Sequence, residues 1–284
     1  MYFHLLAPAG AWEILAHRIL WTLLFCVAVL AVRRDFGWCR SVFGNPQMLG
    51  AVTLAGLLIA VNWTIYVAAV VSHHVTEASL GYFLNPIVTV AIGVVVLRER
   101  LRRLQWLAVT IGLGAGVYLT IDFGRPPWIA LGLAFSFALY GLMKKRIGTS
   151  LGAFQSLASE TAVLLPIAVA VLVWIAVSGK STFAVDSPTH ALLLASAGVV
   201  TAGPLLLFAA AARRVPLVTI GLLQFITPVL QLLCGVLILG ETMTGSRWIG
   251  FSIVWVALSV LVIDSIHSMR TRRRLAEAAE YTAV

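Results

Sequence analysis

Charge is scarce in this chain. Only 11% of its 284 residues are Asp, Glu, Lys or Arg, against about 25% in a soluble domain. With 61% of residues hydrophobic and a mean hydropathy of +0.99, no soluble core could enclose the apolar side chains, so lipid must be the solvent. Cysteine is scarcer still. Cys26, Cys39 and Cys234 fall in or beside apolar runs, at spacings that match no CxxC or His/Cys ligand set. Neither a disulfide framework nor a metal site is suggested, and ordinary packing accounts for all three. A Gly-rich phosphate loop followed by Lys-Ser/Thr is missing, as are GxSxG, HExxH and paired acidic motifs at an aqueous loop. These absences argue against direct drive by ATP and against an enzyme, and no cofactor is expected. The net charge of +9 sits in short clusters between apolar runs, not on a face with aromatic platforms, so nucleic acid is not an expected partner. No cleavable signal sequence is expected either, because the first apolar stretch is flanked by Glu13 and His17 and followed by further spans.

What the chain does have is a series of apolar runs of spanning length, which need roughly 20 residues each. The basic clusters and Gly/Pro/Asp breaks delimit nine, at 12–32, 47–71, 75–97, 104–121, 127–147, 151–177, 189–211, 215–239 and 247–265. Alternate loops and the tail hold sixteen Lys and Arg: Arg33, Arg34 and Arg40; Arg98, Arg100, Arg102 and Arg103; Lys144, Lys145 and Arg146; Arg213 and Arg214; Arg270, Arg272, Arg273 and Arg274. The intervening loops hold three, Arg125, Lys180 and Arg247, and Arg18 lies inside the first span. Cytoplasmic loops retain positive charge during insertion, so this bias puts the C terminus in the cytoplasm and, with nine crossings, Met1 outside. The partner expected on these grounds is the lipid bilayer.

The chain also matches itself without gaps at an offset of 142 residues, pairing Pro86 with Pro228, Gly93 with Gly235, Leu97 with Leu239, Glu99 with Glu241 and Trp106 with Trp248. The loop of the first copy, RERLRR, is cytoplasmic by the charge bias and that of the second, GETMTGSR, is external. The halves are therefore inverted, as in many secondary transporters. Inversion requires five spans per half. The second half has five and the first only four, so the expected fold is all-α and polytopic, with two inverted five-helix repeats of which the first helix is missing. The expected divisions are 1–122, 126–265 and a basic cytoplasmic tail at 266–284.

Several segments carry a family resemblance: EILAHRILW (Glu13 to Trp21), NWTIY (Asn62 to Tyr66), EASLGYFLNP (Glu77 to Pro86), LRERLRRLQW (Leu97 to Trp106), SFALYGLMKK (Ser136 to Lys145), TAGPLLLFAAAARR (Thr201 to Arg214) and GLLQFITP (Gly221 to Pro228). As an ordered set, covering nearly the whole chain from Tyr2 to about Ile263, they resemble the RarD branch of the EamA, or drug/metabolite transporter, superfamily. The resemblance implies a ten-helix permease of two EamA repeats, known by the name chloramphenicol-sensitivity protein and with no generally established substrate. The missing first helix departs from that pattern and bears on transport, since that helix should help to wall the central cavity.

Polar groups inside apolar spans need a reason, because a charge at a helix centre costs about 2.5–3.5 kcal/mol on insertion scales. Glu13 and His17 are i, i+4 neighbours on one face with Arg18 adjacent, which reads either as a proton-responsive site or as a charge-compensated cluster that fixes a helix. Glu160 lies deeper and needs water or a partner, Arg18 or a cavity Lys. Asn62, Tyr66, Tyr82, Asn85, Ser136, Tyr140, Lys144 and Gln224 form the candidate substrate-binding set for a polar pocket near the midplane. Singly, helix-to-helix hydrogen bonding, interface anchoring and a topological Lys144 are the alternatives. Pro86 breaks a backbone hydrogen bond in mid-helix. Glu99 and Glu241 fall at helix ends, where solvation or a helix cap suffices. Gly112, Gly114 and Gly116 suit close packing within the chain or a homodimer seam. The expected function is secondary transport of a small-molecule substrate across the inner membrane. A non-transporting scaffold or accessory subunit is the alternative. A passive channel comes third, since no charged ring or filter-like loop is visible.

Overall fold

The computed structural model describes residues 5–6, 8–72, 74–124, 126–183, 187–233 and 245–282. All the regular structure in them is helical: α1 (Ala11–Val32), α2 (Gly37–Phe43), α3 (Pro46–Val71), α4 (Val75–Val95), α5 (Arg103–Phe123), α6 (Trp128–Ile147), α7 (Ala153–Val177), α8 (Pro188–Arg214), α9 (Leu217–Gln224), α10 (Ile226–Leu233) and α11 (Gly245–Thr282). Among the described residues, six of these, α1, α3, α4, α5, α7 and α8, are long and apolar enough to cross a membrane. Their outward side chains make the same point. Leu54, Leu57 and Val61 on α3, Ile167 and Trp174 on α7, and Leu192 and Leu207 on α8 are exposed, a pattern that water would penalise and hydrocarbon would not.

The helix ends follow local chemistry. Ser187 caps α8 by accepting a hydrogen bond from the His190 N–H at 3.1 Å, and Pro188 occupies the first turn, where its lost donor costs nothing. Gly124 closes α5 at φ +75°, a left-handed conformation that glycine adopts without strain. The short helix α2 lies in a loop that the apolar pattern reads as a plain connection, with Trp38 and Val42 buried and Phe36 and Phe43 exposed. The eighth apolar run, 215–239, is not one helix. It is interrupted at Phe225, between α9 and α10. α4, by contrast, continues through Pro86.

The helices form two compact units, neither of which follows the order of the chain. The first takes Met1–Val75 and Ser136–Val215, and the second Thr76–Phe135 and Pro216–Val284. In the first, α1 packs on α7 and α8, and α3 on α7. The α1–α8 crossing is close because a Cβ on Gly198 would overlap the backbone of Trp21 and Thr22, and Thr22 Oγ1 donates to the Gly198 carbonyl at 3.1 Å.

In the second unit α5 packs on α11, around a core that includes Leu80, Phe83, Val90, Leu222, Phe225 and Val254. Gly112 and Gly116 meet Phe225, Leu84 and Ile87 of the same chain, whereas Gly114 faces open space. Glu99 sits at the start of α9, its two carboxylate oxygens accepting the Leu217 and Val218 N–H groups at 2.9 and 2.7 Å. These are orphan donors of a helix terminus, and the negative charge also suits the positive end of the helix dipole. Glu99→Ala strands both, so the variant should lose about 1–3 kcal/mol of stability, seen as a lower melting temperature in detergent. Glu99→Gln, keeping one acceptor, should fall between. Glu241, its repeat mate, lies outside the described residues, as do Cys234, Gly235, Leu239, Arg125 and Met1 to His4.

Candidate functional site

A buried polar network in an apolar setting is built from two helices of the first unit by one spacing rule. Residues four apart share a helix face. On α6 that places Tyr140 beside Lys144, and on α7 Ser156 beside Glu160. The four side chains close into one network: Lys144 Nζ donates to Glu160 Oε1 at 2.6 Å and to Ser156 Oγ at 3.0 Å, Ser156 Oγ donates to the same carboxylate oxygen at 2.7 Å, and Tyr140 OH reaches Glu160 Oε2 at 3.3 Å. The Lys144 and Glu160 side chains are 0% and 1% exposed. At that burial each ion loses most of its hydration, and only the pairing with its added hydrogen bonds makes both charges tolerable. Gly56 lets α3 approach the Glu160 carbonyl, a Cβ there falling 3.1 Å from the oxygen. Phe208 of α8 stacks on Tyr140, with centroids 5.9 Å apart and planes at 12°.

Of the two partners expected for Glu160, the structure supplies the lysine. Arg18 instead donates from Nε to Thr201 Oγ1 at 2.9 Å and lies over the Trp63 ring, 4.5 Å from its centroid. Glu13 and His17, both buried, hold the chain that follows α7. Glu13 accepts from the Thr182 N–H at 2.8 Å and from the Ser181 and Thr182 hydroxyls at 3.1 and 3.0 Å. Thr182 Oγ1 is also 2.9 Å from His190 Nε2. The His17 ring stacks on Phe183 at 4.6 Å, and its Nδ1 has no hydrogen-bond partner among the described residues. The first unit also joins Asn62 Nδ2 to Ser136 Oγ at 3.0 Å, while Tyr66 is 37% exposed.

In the second unit Thr89 Oγ1 bridges Asn85 and Gln224, 3.5 Å from one side-chain oxygen and 3.2 Å from the other. Gln224 is the last residue of α9, at the interruption before α10. Tyr82 is partly buried on α4. Among the described residues no cluster of three or more His, Cys, Asp or Glu side chains could hold a metal ion, and Cys26 and Cys39 carry free thiols.

Sequence reasoning missed Ser156, Thr89, Thr182, His190 and Thr201. Ser156 was legible, since it stands one helical turn before Glu160 on the same face. Thr182 was not, because its partner Glu13 lies 169 residues away.

Comparison with known proteins places this geometry. The model of the EamA-like transporter family matches residues 3–121 and again 126–263. A protein RarD of Streptomyces exfoliatus is 51% identical over 100% of this chain and 90% of its own. The protein RarD of Escherichia coli K12 is 40% identical over 95% and 90%. A chloramphenicol-sensitive protein RarD of Pseudomonas aeruginosa is 31% identical over 96% and 91%. A solved crystal structure of a protein only 16% identical superposes with a TM-score of 0.68 over 92% of this chain and 90% of that one, a likeness of fold. Apolar helices of spanning length, a family model matched along both parts of the chain and relatives of this identity lead to one conclusion: the chain belongs to the EamA-like transporter family, in its RarD branch, and is a multi-pass membrane transporter of the drug/metabolite class.

Proposed function

We propose that the chain is a secondary transporter that moves a small metabolite or drug-like molecule across the inner membrane by alternating access, rocking the five-helix repeat (126–265) against the four-helix repeat (1–122). The observation that carries this reading is the Lys144–Glu160 pair, two charges bridged by hydroxyls and buried between α6 and α7. Intramembrane ion pairs are expensive and are characteristic of substrate and ion pathways. The interruption at Phe225 supports it from the second unit, since broken helices expose backbone groups where transporters bind their substrates.

In this reading Asn62, Tyr66, Tyr82, Asn85, Ser136, Tyr140, Lys144 and Gln224 contact the substrate, while Glu13, His17, Arg18 and Glu160 answer to protons or hold the frame. The C terminus is cytoplasmic. The direct test is uptake of a labelled metabolite panel into proteoliposomes, with and without a pH gradient. Alanine at Tyr82, Asn85, Tyr140 or Gln224 should weaken substrate affinity while membrane insertion is unchanged. Four variants that insert normally and carry substrate with wild-type affinity would remove the pocket.

Topology has its own test. Ser72 and Ser150 are both exposed, so cysteines placed there are accessible to reagents. Ser72→Cys should react with a membrane-impermeant maleimide from outside intact cells, and Ser150→Cys only after permeabilisation. Labelling of both from the same side contradicts the assigned orientation.

A further inference from the structure

We propose that Lys144 receives the carboxylate of an organic monocarboxylate while Glu160 takes up a proton, so that the site binds one such anion together with one proton. The proposal rests on the transport reading of this network and names its substrate class.

Lys144 has three N–H donors. Two are engaged, by Glu160 Oε1 and Ser156 Oγ, and the third has no oxygen or nitrogen acceptor among the described residues; the ammonium lies over the Tyr140 ring, 5.3 Å from its centroid, a weaker contact that a carboxylate would displace. A second anion therefore has a donor waiting for it. Charge then decides what must accompany that anion. Lys144 and Glu160 together carry one positive and one negative charge and are neutral. A carboxylate arriving alone would leave a net negative charge in a buried place, which the surroundings cannot solvate. Moving one proton from solution onto a Glu160 oxygen restores neutrality and breaks no bond in the ligand. As a carboxylic acid Glu160 still accepts from Tyr140, and its new O–H has the Ser156 oxygen within reach, which leaves the Ser156 hydroxyl to donate to the incoming carboxylate.

The surroundings favour an anion over a cation. The network lies toward the end of the first unit that carries Arg33, Lys145, Arg146, Arg213 and Arg214, a clustering fixed by contacts: Arg33 stands over the Phe154 ring, Lys145 donates to the Val215 carbonyl and Arg213 to that of Gly148. The acid at this end is Asp35, which accepts from Gln155 at 2.6 Å. Such a field draws anions in and repels cations. Phe137 and Phe208, 5.2 Å apart and each 5.9 Å from the Tyr140 ring, provide an aromatic wall for an apolar, planar body. Among the described residues, the other ionisable groups near Glu160 are Tyr140 and, on α1, the buried Cys26. α3 presents Gly56 and α8 Phe208, neither of which titrates.

Benzoate, ionised throughout pH 6–8, is the probe. Calorimetric titration of the purified full chain in nanodiscs, in two buffers of different ionisation enthalpy, should show one proton taken up per benzoate bound. The apparent Kd should rise about tenfold per pH unit across that range, as linkage to one proton requires, and benzamide should not bind. Glu160→Gln should bind benzoate without proton uptake, with a Kd independent of pH and tighter than wild type at pH 8. The neutral pair Lys144→Gln/Glu160→Gln, which leaves no unpaired charge to unfold it, should be monodisperse and should not bind. Benzamide binding as tightly as benzoate, benzoate binding without proton uptake, or no binding by either wild type or Glu160→Gln would each overturn the proposal. A wild type that binds with proton uptake but carries no solute into proteoliposomes contradicts the transport reading alone. Solute exchange without benzoate-linked proton uptake contradicts the substrate class alone.

Discussion

Lys144→Met should destabilise the protein by about 3–5 kcal/mol, the usual consequence of removing one member of a buried ion pair. The cause is what remains: a Glu160 carboxylate 1% exposed, its cation gone and only Ser156 and Tyr140 left to donate to it. A methionine fills most of the lysine's volume, so the loss reports charge and not a cavity. The double replacement Lys144→Met/Glu160→Leu removes both ions at once and should recover most of the stability, because a well-packed apolar pair is often as stable as the ionic one. Thermal unfolding in detergent, followed by tryptophan fluorescence, measures both. A stable single variant would mean that water already reaches the pair. Full transport by the apolar double variant would make the pair a helix fastener only.

The second large effect is expected at the α1–α8 crossing. Gly198→Ala places a methyl group into the backbone of Trp21 and Thr22, where nothing flexible can yield, so α8 must shift. Overpacking of this kind costs about 1–3 kcal/mol, with the shift also straining the Thr22 hydrogen bond to the Gly198 carbonyl. Gly203, on the same helix with nothing within 4 Å of its would-be Cβ, is the matched control. Gly203→Ala should be neutral or stabilising by up to about 1 kcal/mol, from the lost backbone freedom of glycine. Equal melting temperatures for the two variants would contradict the close crossing.

Fold class was legible because it rests on the strongest signal a chain can carry, long apolar runs with basic flanks. The exceptions have physical reasons. α2 escaped because seven residues give too short a period to stand out from a loop. The break at Phe225 escaped although Gln224, Thr227 and Pro228 flank it in the sequence, while Pro86, which also announces a break, is absorbed into a continuous α4. At the site, the residue types were legible and the partners were not. Glu160 demanded a cation, and apolar patterning offered Arg18 and a lysine equally; only the α6–α7 packing selects Lys144. The tie between Glu13 and Thr182 depends on where the chain after α7 returns, which no local spacing encodes.

Alternating access can be read most directly as trans-acceleration in proteoliposomes. The reconstituted chain should take up a labelled member of the metabolite panel saturably, and faster when the same unlabelled solute is loaded inside, because a carrier returns more quickly when occupied. Uptake that does not saturate and is indifferent to the internal solute, or that never exceeds protein-free vesicles for any member of the panel, would contradict the account.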